Sequence, residues 1–228
     1  MVKIKWDIFV WDTLSSFRSI QRYFELVESQ IKKVKDEEWE QLQQLPVPRD
    51  EEEYQTEYAP EIGAHKHEYE EVLPRLVSYS FVLMLFSELE FRINEICRVL
   101  KKRENVPLKI NDFKGNLIER FTKFLIIANK SQLEKNDRDE IDNFVVVRNC
   151  IAHNNGFLSN FKDAKKLSNI AKTERHLEID GRGENARILV LSGFLYSRFE
   201  FFMEMFKRLF DSLNFGPEIP IILDKEQS

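Results

Sequence analysis

From Thr13 to Leu45 the chain runs without a glycine or a proline. Along it Phe17, Ile20, Phe24, Val27, Ile31 and Val34 recur at three- and four-residue spacing, which draws one apolar stripe down one face of a helix. Thr13 or Ser15 can cap its start, and Pro46 and Pro48 are expected to end it. A helix this long, apolar on one side and charged on the other, folds only against a partner surface. The composition agrees. The 228 residues hold seven glycines, seven prolines and 19 phenylalanines, which favours long helices packed through large side chains over a turn-rich β fold.

The rest of the chain continues the pattern. Residues 46–65 carry prolines, an acidic cluster and Gly63, and read as a linker. A second long helix is expected from Lys66 to Lys102, bent or divided at Pro74, with Val82, Leu85, Phe86, Leu89, Ile93, Ile96 and Leu100 as its stripe. Glu90 falls at the edge of that stripe, near Cys97 and Tyr79. Shorter helices fit Gly115–Ala128, Asp137–Ala152 and Leu158–Thr173. The third of these is basic. In the second, Ile141, Phe144, Val145, Ile151 and Ala152 would face inward. The period then changes to two over 176–180 and 187–190, around a Gly181-Arg182-Gly183 turn, as in a β-hairpin. A Phe-rich helix from Ser192 to Leu213 follows, and the tail after Gly216 is expected to be irregular. The fold class is all-α, divided as a long N-terminal helix (1–45), an acidic linker (46–65) and a helical domain (66–228).

The net charge of −5 is unevenly spread. Acids dominate residues 36–71, so the remainder is net positive and nucleic acid stays open as a partner. Cys97 and Cys150 both sit among apolar residues at helical spacing, as core residues of a reducing compartment. Met1–Phe9 lacks the pattern of a secretory signal, and the longest apolar run, Phe81–Phe86, is too short to span a bilayer. A cytoplasmic protein without a membrane or cofactor is expected. No metal cluster is expected either, because His65 and His67 stand only two apart in an acidic loop.

One segment points to chemistry: Arg148-Asn149-Cys150-Ile151-Ala152-His153-Asn154-Asn155-Gly156. An arginine can fork onto a phosphate, and a histidine can exchange a proton near neutral pH. Arg-x4-His alone is weak, arising by chance in roughly a quarter of chains with this many arginines and histidines. Three features add to it. Asn149 lies one turn below His153 on the same helical face, with Asp142 further back on that face. The segment closes an apolar helix. Asn154-Asn155-Gly156 then supplies a stop.

The run Arg148-Asn149-x-x-x-His153, late in a helix of an all-α chain, resembles the signature of the HEPN superfamily (higher eukaryotes and prokaryotes nucleotide-binding domains). The resemblance covers about residues 75–213. It implies a metal-independent endoribonuclease whose site is completed in a homodimer. On that resemblance His153 would act as acid/base for the RNA 2′-hydroxyl, Arg148 would hold the scissile phosphate, and Asn149 would orient His153 or the phosphate. It also implies a toxin or antiviral defence role, with an antitoxin or defence partner protein. A tyrosine two residues past the histidine marks one toxin branch, and here Asn155 stands there.

Supporting roles are open for Glu90 and Asp142, which could equally be ordinary helix residues. Lys162, Lys165, Lys166 and Lys172 could contact an RNA backbone or form a solvated face. Two alternatives to catalysis remain at this point: a non-catalytic dimerisation or binding module, and a nucleotide-sensing domain. The latter lacks a glycine-rich phosphate loop.

Overall fold

A computed structural model describes residues 7–45 and 48–216. Among these residues the chain is helical apart from one two-stranded hairpin and short connections. Helix α1 spans Ile8–Gln43 and begins one turn earlier than expected. Pro46 lies outside the described residues. The longest helix, α2, runs unbroken over Glu51–Arg103. Then come α3 (Leu117–Ile127), α4 (Lys135–Asn154), α5 (Ala164–Thr173), strands β1 (Leu177–Asp180) and β2 (Arg187–Val190), and α6 (Ser192–Ser212).

Helix α2 corrects the expected linker. Most of residues 46–65 are helix, because the acidic cluster suits a helix start. Asp50 is extended and accepts from the Glu53 backbone N–H at 2.9 Å, and Glu51–Glu53 fill the positive first turn. The prolines do not divide the helix. Pro60 and Pro74 each follow a π turn, Tyr54–Tyr58 and Glu68–Val72. In those wider turns Ala59 N–H reaches Tyr54 O and Leu73 N–H reaches Glu68 O. A π turn next to a proline eases the clash and the lost hydrogen bond that the ring causes. His65 and His67 therefore lie on a helix, not in a loop.

Helix ends rely on asparagine. Asn105, Asn129, Asn155 and Asn214 adopt positive φ just past the ends of α2, α3, α4 and α6. After three of them the next N–H returns to a carbonyl five residues back, at 2.9–3.1 Å. At α4 the closure is one residue wider, from Gly156 N to Cys150 O at 3.1 Å.

The chain divides into two compact units. The first takes the N-terminal segment through Ser19, Leu85–Val145, and the chain from Ser197. Its centre is aromatic: Phe17 packs on Phe202 and Phe206, Phe144 on Phe202, and Phe9 on Phe210 and Phe215. Such pairs add about 0.5–1.5 kcal/mol each beyond their buried area. Leu85, Leu89, Ile93, Ile96 and Leu100 are fully buried here, as the stripe predicts. Arg92, also buried, binds Glu88 and Asp12. On α3, Leu117, Ile118, Phe121, Phe124 and Leu125 are buried behind an Asn116–Glu119 capping box.

The second unit is Ile20–Met84 with Val146–Tyr196. The end of α1 pairs antiparallel with the start of α2. Phe24 and Tyr23 meet Phe81, Lys35 pairs with Glu70 at 3.0 Å, and Lys35 O accepts from His65 Nε2 at 3.2 Å. The His65 ring is buried between Trp39 and Tyr69. Glu28 on α1 accepts from the hydroxyls of Ser192 and Tyr196. β1 and β2 are antiparallel, with Leu177 opposite Val190 and Asp180 opposite Arg187. Leu191 N–H donates to His176 O and closes the strand pair. Helix α5 is shorter than expected: 158–163 forms turns, with Asn160 at positive φ.

Helix α2 is long enough to cross a membrane, with an 18-residue window of mean hydropathy 1.4. Its stripe residues Val82, Leu85, Leu89, Ile93 and Ile96 are nevertheless fully buried within the chain.

Candidate nucleic-acid site at the end of helix α4

The second half of α4 is held in the core of its unit by Val146, Val147, Cys150 and Ile151, all buried. Of the residues expected to face inward on α4, Val145 is half-buried and Ala152 is exposed. The helix is turned slightly from the simple wheel, toward Val146 and Val147. This leaves Arg148 and Asn149 half-buried and His153 exposed on the last turn.

Arg148 Nη1 donates to Asn149 Oδ1 at 2.9 Å. The amide therefore braces the guanidinium. The Asn149 carbonyl oxygen thus serves Arg148. Among the described residues no side-chain hydrogen bond or ion pair holds the His153 ring, which stands open to solvent one turn beyond Asn149.

The loop after the motif is rigidly seated. Asn155 (φ 50°) and Gly156 (φ 79°) turn the chain through two left-handed residues. Gly156 is buried beneath Tyr79, whose hydroxyl donates to Ile188 O at 2.6 Å. Gly156 O then accepts from Ile188 N at 2.9 Å, and Leu158 N donates to Ala186 O at 2.9 Å. The loop thus adds a third edge to the hairpin, with Phe157 bridged to Arg187. Cys150 Sγ donates to Phe157 O, and burial pushes the Cys150 thiol up to about 12, so it is an inert core thiol. Cys97 in the other unit is likewise buried, with its thiol pushed up by burial.

Tyr79, Phe157 and Arg187 were not expected at the site. The Arg187 guanidinium lies 3.8 Å from the Phe157 ring centroid. Phe157 and Arg187, with His67, Glu70, Glu71, Arg75 and Asp180, line a cleft of about 380 Å³ beside the motif loop. The motif side chains do not line it. No spacing signal links Arg187 to a motif more than thirty residues earlier; only the hairpin register brings it there.

The other expected residues fall as follows. Lys162, Lys165, Lys166 and Lys172 share the unit with the motif and are all exposed, the last three on α5, whose Leu167 and Ile170 are buried. Asp142 and Glu90 belong to the other unit. There Asp142 accepts from Asn116 Nδ2 at 3.4 Å, and Glu90 lies 3.9 Å from Arg120. Among the described residues no three His, Cys, Asp or Glu side chains are grouped to hold a metal ion. Comparison with protein-family models, curated proteins and solved structures gives no match in any of the three.

Proposed function

We propose that the chain is a metal-independent endoribonuclease of the HEPN type, acting through Arg148 and His153 in a homodimer. The observation that carries this reading is the pairing of an open His153 ring with an arginine braced by Asn149 on the same helix end. Neutral His153 would take the proton from an RNA 2′-hydroxyl as that oxygen attacks phosphorus. The P–O5′ bond would break, and the departing 5′-oxygen would receive a proton from the protonated His153 of the second copy. Arg148 would neutralise the charge gathered on the phosphate oxygens. The products would be a 2′,3′-cyclic phosphate and a 5′-hydroxyl. The exposed lysines of α5 would add affinity that falls with salt. A role as a toxin or antiviral defence effector, held by a partner protein in the cytoplasm, belongs to the same proposal.

The test is the chemistry of the cut ends. Single-stranded RNA incubated with the protein in EDTA should yield 2′,3′-cyclic phosphate termini. Fragments ending in 3′-hydroxyl would reject the mechanism.

A second reading, a non-catalytic binding module, draws on exposed apolar side chains such as Tyr23, Leu26 and Leu76. It predicts that Arg148→Ala and His153→Ala leave the cellular phenotype unchanged.

A further inference from the structure

Arg75 on α2 and Arg187 at the start of β2 line the same cleft of about 380 Å³, and both belong to the second unit. Both residues are half-buried. Among the described residues neither makes a side-chain hydrogen bond or an ion pair. Burial pushes the Tyr79 phenol up to about 12 and the two guanidiniums pull against it, so both stand near that one side chain.

Acids line the cleft as well, but each has a donor of its own. Glu70 pairs with Lys35 at 3.0 Å, Glu71 with His67 at 3.1 Å, and Asp180 Oδ1 accepts from Gly181 N–H at 2.8 Å. The two arginine forks are left open. Phe157 covers one face of the Arg187 guanidinium, at 3.8 Å from the ring centroid, and a covered face leaves the in-plane N–H groups available. The Arg187 Nε is buried and has no hydrogen-bond partner. A buried donor without an acceptor costs free energy, and an anion seated between the two arginines would supply the acceptor.

Charge and size narrow the ligand. A phosphate monoester brings close to two negative charges and three acceptor oxygens, which suits two forks. The cleft stands near the lower end of the range of small-molecule sites, about 300–1,000 Å³, so it fits a molecule more readily than a chain. Glu70, Glu71 and Asp180 are exposed, and would repel a polyanion laid across the cleft. Half-buried Phe157 and Leu189 offer apolar surface for an uncharged body.

We infer that Arg75 and Arg187 form a binding site for a phosphate dianion carried on a small, otherwise uncharged molecule. None of the motif side chains lines this cleft, so the site is separate from the one proposed to cut RNA.

The test is titration calorimetry on the full chain, with ribose 5-phosphate, inorganic phosphate and ribose as probes. Ribose 5-phosphate should bind one per chain, and ribose should not bind. Arg75→Gln and Arg187→Gln should each weaken binding about tenfold or more, through lost charge-assisted hydrogen bonds. Should Arg187→Gln disturb the hairpin in circular dichroism, Arg187→Lys, which keeps the charge and loses the fork, should also bind more weakly. Inorganic phosphate binding as tightly as the ester would support the anion site and make free phosphate its ligand. No saturable binding of either phosphate, or an affinity unchanged in folded Arg75→Gln and Arg187→Lys, would overturn the inference. So would a 5′-hydroxyl oligodeoxynucleotide, which carries no phosphate monoester, that displaces ribose 5-phosphate.

Discussion

Gly156 lies so close beneath Tyr79 that a Cβ at residue 156 would stand 1.9 Å from the tyrosine hydroxyl oxygen. The same glycine holds φ at 79°, where a side chain is strained in any case. Gly156→Ala should therefore destabilise the protein by at least about 1–3 kcal/mol, read from chemical denaturation. A variant as stable as wild type would show that the loop after the motif is not locked in this way.

The Tyr79 hydroxyl should appear in the alkaline limb of stability. Burial pushes its pKa from 10.0 up to about 12, so the fold favours the neutral phenol. The stabilisation is complete below pH about 10 and is lost as pH rises toward about 12. Tyr196 moves the same way, through burial first and then Glu28. Tyr79→Phe should cost about 1 kcal/mol at neutral pH and flatten the decline between pH 10 and 12. Denaturation midpoints across that range check it.

Asn149 and Arg148 should differ in kind. In the proposed mechanism Arg148 holds the scissile phosphate, so Arg148→Ala should lower RNA cleavage about 100-fold or more. Asn149→Ala removes one hydrogen bond that positions the guanidinium without removing the group and should cost about tenfold, mostly in kcat. Equal losses in both variants would contradict a bracing role for Asn149.

In the other unit, Arg92 is 8% exposed and binds Glu88 and Asp12. Arg92→Ala should destabilise by about 2 kcal/mol, less than the cost of breaking a fully buried pair, because Asp12 is 55% exposed and can be rehydrated. Arg92→Lys should recover part of this, since one ammonium replaces a two-sided fork. Urea titration of both variants gives the comparison.

Much of this fold is legible in residue spacing. Phe17, Phe24, Val82, Leu85, Leu89, Ile93, Ile96 and Leu100 are predicted as stripes and are buried. The hairpin and α6 also fall within a residue or two of their expected bounds. In the sequence the acidic segment reads as a linker because Pro60 and Gly63 look like breaks, and Pro74 looks like a division of the next helix; π turns carry the helix through both prolines. A π turn is a change of hydrogen-bond register with no residue signature of its own. At the candidate site, helical spacing is enough to put Asn149 below His153. It does not show that the Asn149 carbonyl is taken by Arg148, because rotamers are set by surroundings. Tyr79 and Arg187 reach the motif loop only through tertiary pairing, which periodicity does not encode.

The central claim is that an open histidine and a braced arginine at the end of α4 cut RNA without a metal. It is tested most directly by the cleavage rate of single-stranded RNA in EDTA, wild type against His153→Ala, with both shown to be folded. The expected result is cleavage by the wild type and a loss of about 100- to 10,000-fold in the variant. Wild-type protein that leaves RNA intact under activating conditions, or a variant that cuts at the wild-type rate, would contradict it.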